Sequence, residues 1–174
     1  MWRDTAARSR NRRLPVNAGL SYRVNGEPLN APVTAELSRE LERVLERFAE
    51  EAGFSAARPV AVEFGRGVVG HHQVGRATDI YGVGGQGLGE WKERWDRRLA
   101  EARSDHERRR LAQREGMGNL GWRLYKAMQM YGRWAQPYGY PIQLFGPWTR
   151  EEGPWKYISD PLLAAHGDHI HVAK

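Results

Sequence analysis

Cysteine is absent from this sequence of 174 residues. Disulfide bonds and thiolate metal ligands are therefore excluded, so any metal site must use histidine and carboxylate side chains. Long apolar runs are missing as well. No stretch approaches the roughly 18 consecutive apolar residues that a membrane-spanning helix needs, and we expect no membrane span.

An apolar signal segment is also lacking at the N-terminus. The opening stretch MWRDTAARSRNRRLP is basic and has no hydrophobic core of the kind that a secretory signal requires. As it stands, this terminus predicts a chain that stays in the cytoplasm, leaves the cell by another route or is cut from a longer protein.

Acidic residues are outnumbered: 21 Asp and Glu stand against 27 Lys and Arg, which gives a formal net charge of +6. A basic balance favours polyanionic partners such as nucleic acid, anionic lipid or the anionic wall of a bacterium. A solvated basic surface with no partner explains the charge equally well. We interpret residues 1–31, which are rich in arginine between Arg3 and Arg13, as a basic arm that can contact an anionic wall polymer.

Residues 32–174 have a length that suits one domain, and their hydrophobic periodicity predicts an α+β fold. Apolar positions from Leu37 to Ala52 have helical spacing, with Thr34 as the N-cap and Gly53 as the stop. A similar amphipathic helix is predicted from Leu120 to Trp134. Short strands are predicted at 20–24, 59–64, 78–81, 141–145 and 169–172. This order favours a small antiparallel sheet of about four strands packed against amphipathic helices.

A long charged segment interrupts the pattern at residues 90–114. Trp91, Trp95 and Leu99 form a thin apolar stripe along it, and the other positions are nearly all charged. We predict a helical insertion of one or two exposed helices that rests on the domain through this stripe. Glycines on both sides can act as hinges, which makes the insertion a candidate lid.

The histidines point to a metal site, because five of the six lie in two tight clusters. In the first, His72 precedes Asp79 by seven residues, and a turn between them lets both side chains meet on one ion. In the stretch His166-Gly-Asp-His-Ile-His171, strand alternation places His169 and His171 on one face. Two histidines and a carboxylate leave a fourth position for water, as in catalytic zinc sites. Chance clustering is the alternative.

A glycine-rich stretch, Gly82-Val-Gly-Gly-Gln-Gly87, matches the spacing of a dinucleotide-binding loop. No βαβ unit surrounds it, and the helix predicted after it is almost entirely charged. We therefore interpret it as a flexible rim of the pocket rather than as a nucleotide site.

Two kinds of side chain near the clusters are candidates for binding substrate. Arg66, between a predicted strand and the first histidine cluster, can clamp a carboxylate through two hydrogen bonds. Trp148, Trp155 and Tyr157 precede the second cluster, where they either wall the cleft or pack the core. We favour the cleft, with Trp155 as the substrate-binding candidate.

Two short motifs carry a family resemblance. His72-x-x-Gly-x-Ala-x-Asp79, followed far downstream by Asp168-His-Ile-His-Val, resembles the zinc metallopeptidase group of lysostaphin-type enzymes, D-Ala-D-Ala peptidases and hedgehog domains. The spacing of the last three histidines is most similar to the penicillin-insensitive murein endopeptidases. The resemblance implies that His72, Asp79 and His171 bind zinc. It also implies hydrolysis of an amide bond in a peptidoglycan stem peptide or cross-link, by an endopeptidase or a carboxypeptidase acting at the cell wall or periplasm.

The same resemblance suggests the catalytic residues, since relatives carry an acidic or a histidine base at positions matching Asp168 and His166. If the last strand already runs straight there, Asp168 lies on the face opposite His169 and His171, whereas a bend of the chain at Gly167 would remove this separation. We therefore predict His166 as the general base, with Asp168 as the second choice or as the partner that orients a histidine. His169 is predicted to stabilise the oxyanion or to orient the water.

Two other functions remain open. A catalytically silent metal-bound module would keep the three ligands and lack a working base, and the extra histidines beside His171 argue against it. A metal-dependent nuclease is suggested by the basic arm. Such a site normally gathers more carboxylates than lie near these clusters, so nucleic acid is disfavoured as a partner.

Overall fold

The fold combines helices with one sheet, as the hydrophobic pattern predicts. A computed structural model describes residues 20–24, 27–28, 34–55, 57–65, 70–132, 143–149 and 160–173. The helices are α1 (Ala35–Ala52), α2 (Leu88–Glu101), α3 (Asp105–Met117), α4 (Leu120–Tyr131) and α5 (Asp160–Ala165). The strands are β1 (Leu20–Val24), β2 (Glu27–Pro28), β3 (Val60–Gly65), β4 (Ala77–Val83), β5 (Gln86–Gly87), β6 (Gln143–Phe145) and β7 (Ile170–Ala173). The α+β class is confirmed.

The sheet has the order β2-β1-β3-β4-β7-β6, with β5 paired to β4 as a hairpin. Its central strands β3, β4, β7 and β6 are antiparallel and correspond to the four predicted for the domain. Strand β1 runs parallel to β3, so part of the segment interpreted as an arm joins the sheet. The arginine-rich stretch from Arg3 to Arg13 lies outside the described residues.

Helix α1 packs its apolar side into the core, where Leu37, Leu41, Val44, Leu45 and Phe48 are buried. Both predicted ends are confirmed. The Thr34 hydroxyl accepts a hydrogen bond from the Leu37 amide, and Gly53 closes the helix in the left-handed region at φ 77°. Helix α4 contributes Leu124, Tyr125 and Met128 to the same core. Among the described helices, none combines the length and apolar character that crossing a bilayer requires.

The charged segment 90–114 falls on α2 and α3. The stripe predicted on α2 does pack on the domain, because Trp91 and Trp95 are only 5% and 3% exposed. Their rings stack with centroids 5.3 Å apart, and the ring centroid of Trp91 lies 4.5 Å from that of Trp148. Trp148 itself is fully buried. The interpretation of Trp148 as a cleft residue is therefore wrong, since its indole packs the core.

The glycine-rich stretch forms the β4–β5 turn. Val83 pairs with Gln86, which leaves Gly84 and Gly85 as a two-residue loop. Their φ angles of 63° and 79° are those of a hairpin turn whose twist matches the flanking strands. The glycines thus serve strand reversal, and α2 follows directly after β5.

Candidate metal centre

The two histidine clusters meet because β4 and β7 are neighbours in the sheet. Asp79 on β4 stands directly opposite His171 on β7. His72 ends a short 3-10 helix, Gly70–His72, that precedes β4. The chain then turns at Gly75, where φ is 70° and the amide donates to the His72 carbonyl. This turn is the one that the sequence predicts.

Three donor atoms converge at this point. His171 Nδ1 lies 2.8 Å from Asp79 Oδ1, His72 Nε2 lies 3.3 Å from the same oxygen, and the two nitrogens are 3.2 Å apart. Tetrahedral zinc with bonds near 2.0–2.1 Å holds its ligand atoms about 3.3 Å from one another. The spacing therefore fits a single ion, and His72, Asp79 and His171 together can hold a metal.

Burial and charge set the protonation of the ligands. Burial lowers the pKa of His72, against the opposing pull of Asp79, and so favours the neutral imidazole that a metal needs. Burial alone would raise the pKa of Asp79, which is 4% exposed. The hydrogen bond from His171 and the neighbouring imidazoles outweigh this effect, and the pKa of Asp79 falls. The carboxylate is therefore ionised at neutral pH.

The second nitrogen of His171 is also engaged. Its Nε2 lies 2.9 Å from Gln143 Oε1 on β6 and donates to this oxygen in the tautomer that carries the ring proton on Nε2. The Phe145 ring, directly across from His171 in the β6–β7 pairing, stacks on the imidazole at 5.8 Å with an angle of 16° between planes. Neither residue belongs to the motifs. In the sequence, Gln143 is distinguished as a possible site residue only by being the polar residue within the apolar run Pro141-Ile-Gln-Leu-Phe145.

His169 and Asp168 form a hydrogen-bonded pair. His169 Nδ1 donates to Asp168 Oδ1 at 2.6 Å, and its Nε2 lies 3.7 Å from Asp79 Oδ1. Strand β7 begins only at Ile170, and the chain bends over 167–169. The alternation that would separate Asp168 from His169 therefore does not apply, because no strand exists there to impose it.

His166 lies just after α5 and also faces the cluster. Its ring centroid is 5.1 Å from those of both His169 and His171. Nδ1 donates to the Leu162 carbonyl at 2.7 Å, which leaves Nε2 as the basic nitrogen. Burial lowers the pKa of His166, so the ring is neutral at physiological pH.

Tyr81 is a site residue that the sequence patterns do not reveal. Glu63 pairs with Gly82 and Phe64 with Ile80, so Tyr81 is the extra residue of a β-bulge. Bulges re-aim side chains beside functional sites, and the Tyr81 ring lies 4.9 Å from that of His169. Burial, followed by the nearby Asp79 and Asp168 carboxylates, raises the pKa of Tyr81 and keeps its hydroxyl protonated.

The predicted site residues are thus brought together in part. His72, Asp79, His171, His169, His166 and Asp168 share one locality, whereas Arg66 and Trp155 lie outside the described residues and their roles stay predictions. Comparison of this chain with protein-family models, curated proteins and solved structures found no match.

Proposed function

We propose that this protein is a zinc-dependent peptidase that hydrolyses an amide bond in peptidoglycan, in a stem peptide or a cross-link. The observation that carries the proposal is the convergence of two imidazoles and one carboxylate beside the hydrogen-bonded His169–Asp168 pair. A site built only to bind metal has no need of a third imidazole supported by a carboxylate. The motif resemblance to zinc metallopeptidases supplies the reaction and the substrate class.

Zinc is the metal that this donor set favours. Imidazole nitrogens suit zinc, whereas calcium and magnesium prefer sites made of oxygen ligands alone. Two of the three converging donors are nitrogens, and the chain has no thiolate to offer. When bound, zinc polarises the scissile carbonyl and lowers the pKa of a bound water towards about 7.

His169 is the general base in this proposal. Because Nδ1 donates to Asp168, the free lone pair is on Nε2, the nitrogen nearer to the ligand cluster. His169 accepts a proton from the attacking water and returns one to the leaving amine, so that water and amide become a carboxylic acid and an amine. Asp168, although its side chain is 63% exposed, fixes the tautomer of His169 and stabilises the imidazolium formed in between, the role that the carboxylate has in a catalytic triad.

His166 becomes the second candidate for the base. Its Nδ1 partner is a neutral carbonyl, which stabilises an imidazolium less than a carboxylate does. The sequence patterns favour His166 over His169 as the base, and the hydrogen bond that His169 Nδ1 donates to Asp168 reverses that order in this proposal. Tyr81, whose ring lies 4.9 Å from that of His169 and whose hydroxyl is protonated, is assigned to the cleft wall as a donor to substrate.

Purified peptidoglycan provides the test of the activity. The zinc-loaded protein is incubated with it, and the released fragments are analysed by mass; we expect fragments with one new amine and one new carboxyl group. Chelator and Asp79→Asn should both abolish release. His106→Ala is the matched control, because this exposed histidine lies on α3 outside both clusters.

The outcomes separate the competing functions. A protein that holds one zinc ion per chain and releases no fragment from any wall preparation is a silent metal-bound module, and the peptidase proposal fails. Metal-dependent degradation of DNA or RNA, with peptidoglycan left intact, would establish the nuclease instead.

A further inference from the structure

We propose that Gln143 is a positioning residue of the metal centre: it holds the His171 imidazole in the tautomer and orientation that present the Nδ1 lone pair to the ion. The inference rests on the proposed metal binding and is independent of which bond, if any, the protein cleaves. Nothing in the motifs that surround His72 and His171 points to this residue.

The need for such a residue follows from the position of Asp79. Its Oδ1 lies 2.8 Å from His171 Nδ1, close enough to accept a hydrogen bond from that nitrogen. A neutral imidazole with its proton on Nδ1 has no lone pair there and cannot bind a metal through it. An acceptor for a proton on Nε2 is therefore required to favour the metal-binding tautomer, and Gln143 Oε1 at 2.9 Å supplies it.

The length of the Gln143 side chain matches the strand register. Gln143 pairs with Ala173, and Phe145 pairs with His171, so Gln143 is the diagonal neighbour of His171 across the two strands. Diagonal neighbours have Cα atoms roughly 7–8 Å apart, within reach of a long side chain. Asparagine, with one methylene fewer, falls short from the same position.

Phe145 and Gln143 constrain different motions of the imidazole. The parallel Phe145 ring fixes the plane of His171 from one side. A rotation of the imidazole by 180° about its bond to the Cβ atom would keep the ring stacked on Phe145. The same rotation would carry Nε2 away from Gln143 and Nδ1 away from Asp79. Among the described residues, the Gln143 hydrogen bond is the one that distinguishes the two orientations on the side away from the ligands.

Four substitutions separate hydrogen bonding from packing. Gln143→Leu and Gln143→Met retain bulk without an acceptor, Gln143→Asn retains an acceptor that is too short, and Gln143→Glu retains both length and acceptor. Gln86→Leu is the matched control, because Gln86 is an exposed strand glutamine on β5. For each protein, zinc affinity is measured by competition with a chromophoric chelator, and the visible absorption of the cobalt(II) form reports ligand geometry.

We expect Gln143→Leu, Gln143→Met and Gln143→Asn to bind zinc about 10–100-fold more weakly than wild type, the range typical of lost outer-shell partners of metal ligands. The cobalt spectrum should change with them. Gln143→Glu should bind zinc at least as tightly as wild type, since a carboxylate is the stronger acceptor, and Gln86→Leu should match wild type. The thermal midpoints of the metal-free proteins show whether a variant has lost its fold.

Wild-type affinity in Gln143→Leu and Gln143→Met would overturn the inference and leave the peptidase proposal untouched. So would equal weakening in Gln143→Glu and Gln143→Leu, because it would assign the effect to packing. A wild-type protein that binds no zinc would sink both proposals. If the apolar variants fail to fold, the comparison of Gln143→Asn with Gln143→Glu decides the matter, because both are polar and only one reaches His171.

Discussion

At the scale of single residues, the two histidines beside the ligands differ in their partners. We expect His169→Ala to keep its zinc and to lose about 10²–10⁴-fold in turnover, the usual contribution of a general base. Asp168→Asn should lose less, because the imidazole stays in place while its carboxylate support is gone. Turnover on purified stem peptides, with zinc content measured for each variant, checks this prediction.

His166→Ala is the informative comparison for that experiment. It removes an imidazole whose ring lies 5.1 Å from that of His169, while both members of the His169–Asp168 hydrogen bond are retained. Near-wild-type turnover in His169→Ala, together with a large loss in His166→Ala, would return the role of base to His166.

Buried histidines also make the stability of the metal-free protein depend on pH. The pKa values of His72 and His166 are lowered by burial, so the unfolded chain binds more protons than the folded one just below the ordinary histidine pKa of about 6.5. The contribution of the two neutral histidines to the free energy of unfolding is therefore complete above that pH. It is lost as the pH falls towards the lowered pKa values of the folded protein. The pKa of Asp79 is lowered from the ordinary aspartate value of about 3.9, so the contribution of this carboxylate to stability is lost only at still lower pH.

Chemical denaturation in chelator across pH 4–7 tests this dependence. We expect the free energy of unfolding to fall with acidification, and the slope to flatten in His166→Gln. His106→Gln, at an exposed position, should retain the wild-type slope. A stability that rises between pH 7 and pH 5 would contradict the assignment of these rings as buried and neutral.

Local sequence patterns identified some site residues and missed others for a physical reason. His72, Asp79 and His171 stand in motifs whose spacing reflects what a metal needs. Gln143 acts on His171 through a pairing register between β6 and β7, and Tyr81 reaches His169 through a bulge. Register and bulges arise from contacts distant along the chain, which periodicity does not encode.

At the scale of elements, α2 and α3 are expected to behave differently on removal. Helix α2 buries Leu88, Trp91 and Trp95, so Trp91→Ala should destabilise the protein by roughly 3–5 kcal/mol, as is usual for a large aromatic core residue. Replacing 103–117 by a short flexible linker removes α3, whose described side chains are largely exposed, and should leave zinc affinity unchanged. Chemical denaturation measures the loss of stability in Trp91→Ala, and competition with a chelator measures the zinc affinity of the protein without α3.

Arg97→Ala is the control on α2, because Arg97 is exposed on the same helix. Loss of folding on removal of α3 would show that this helix belongs to the core. The role of the insertion as a lid stays a prediction. Its apolar stripe was predictable from spacing, but the joining of Trp91 to Trp148 was not, since these residues lie far apart in the sequence.

At the scale of the whole molecule, the net charge of +6 predicts salt-sensitive adhesion to anionic surfaces. Truncation before Pro15 removes the Arg3–Arg13 stretch and leaves β1, which begins at Leu20, able to pair with β3. We expect the truncated protein to bind whole wall material more weakly at low salt and equally at high salt. Sedimentation with insoluble walls measures binding, and unchanged retention at low salt would give the arm another role.

The ligands Asp79 and His171 are 92 positions apart in the chain, on strands that meet only in the finished sheet. An ion held between them would close a long loop, as a covalent cross-link does, and would lower the entropy of any unfolded chain that still held it. In a protein without cysteine, we therefore expect a metal bound to these residues to stabilise the fold as well. Zinc withdrawal should therefore lower the thermal midpoint as well as the activity, and metal capture during refolding should report the arrival of β7 beside β4.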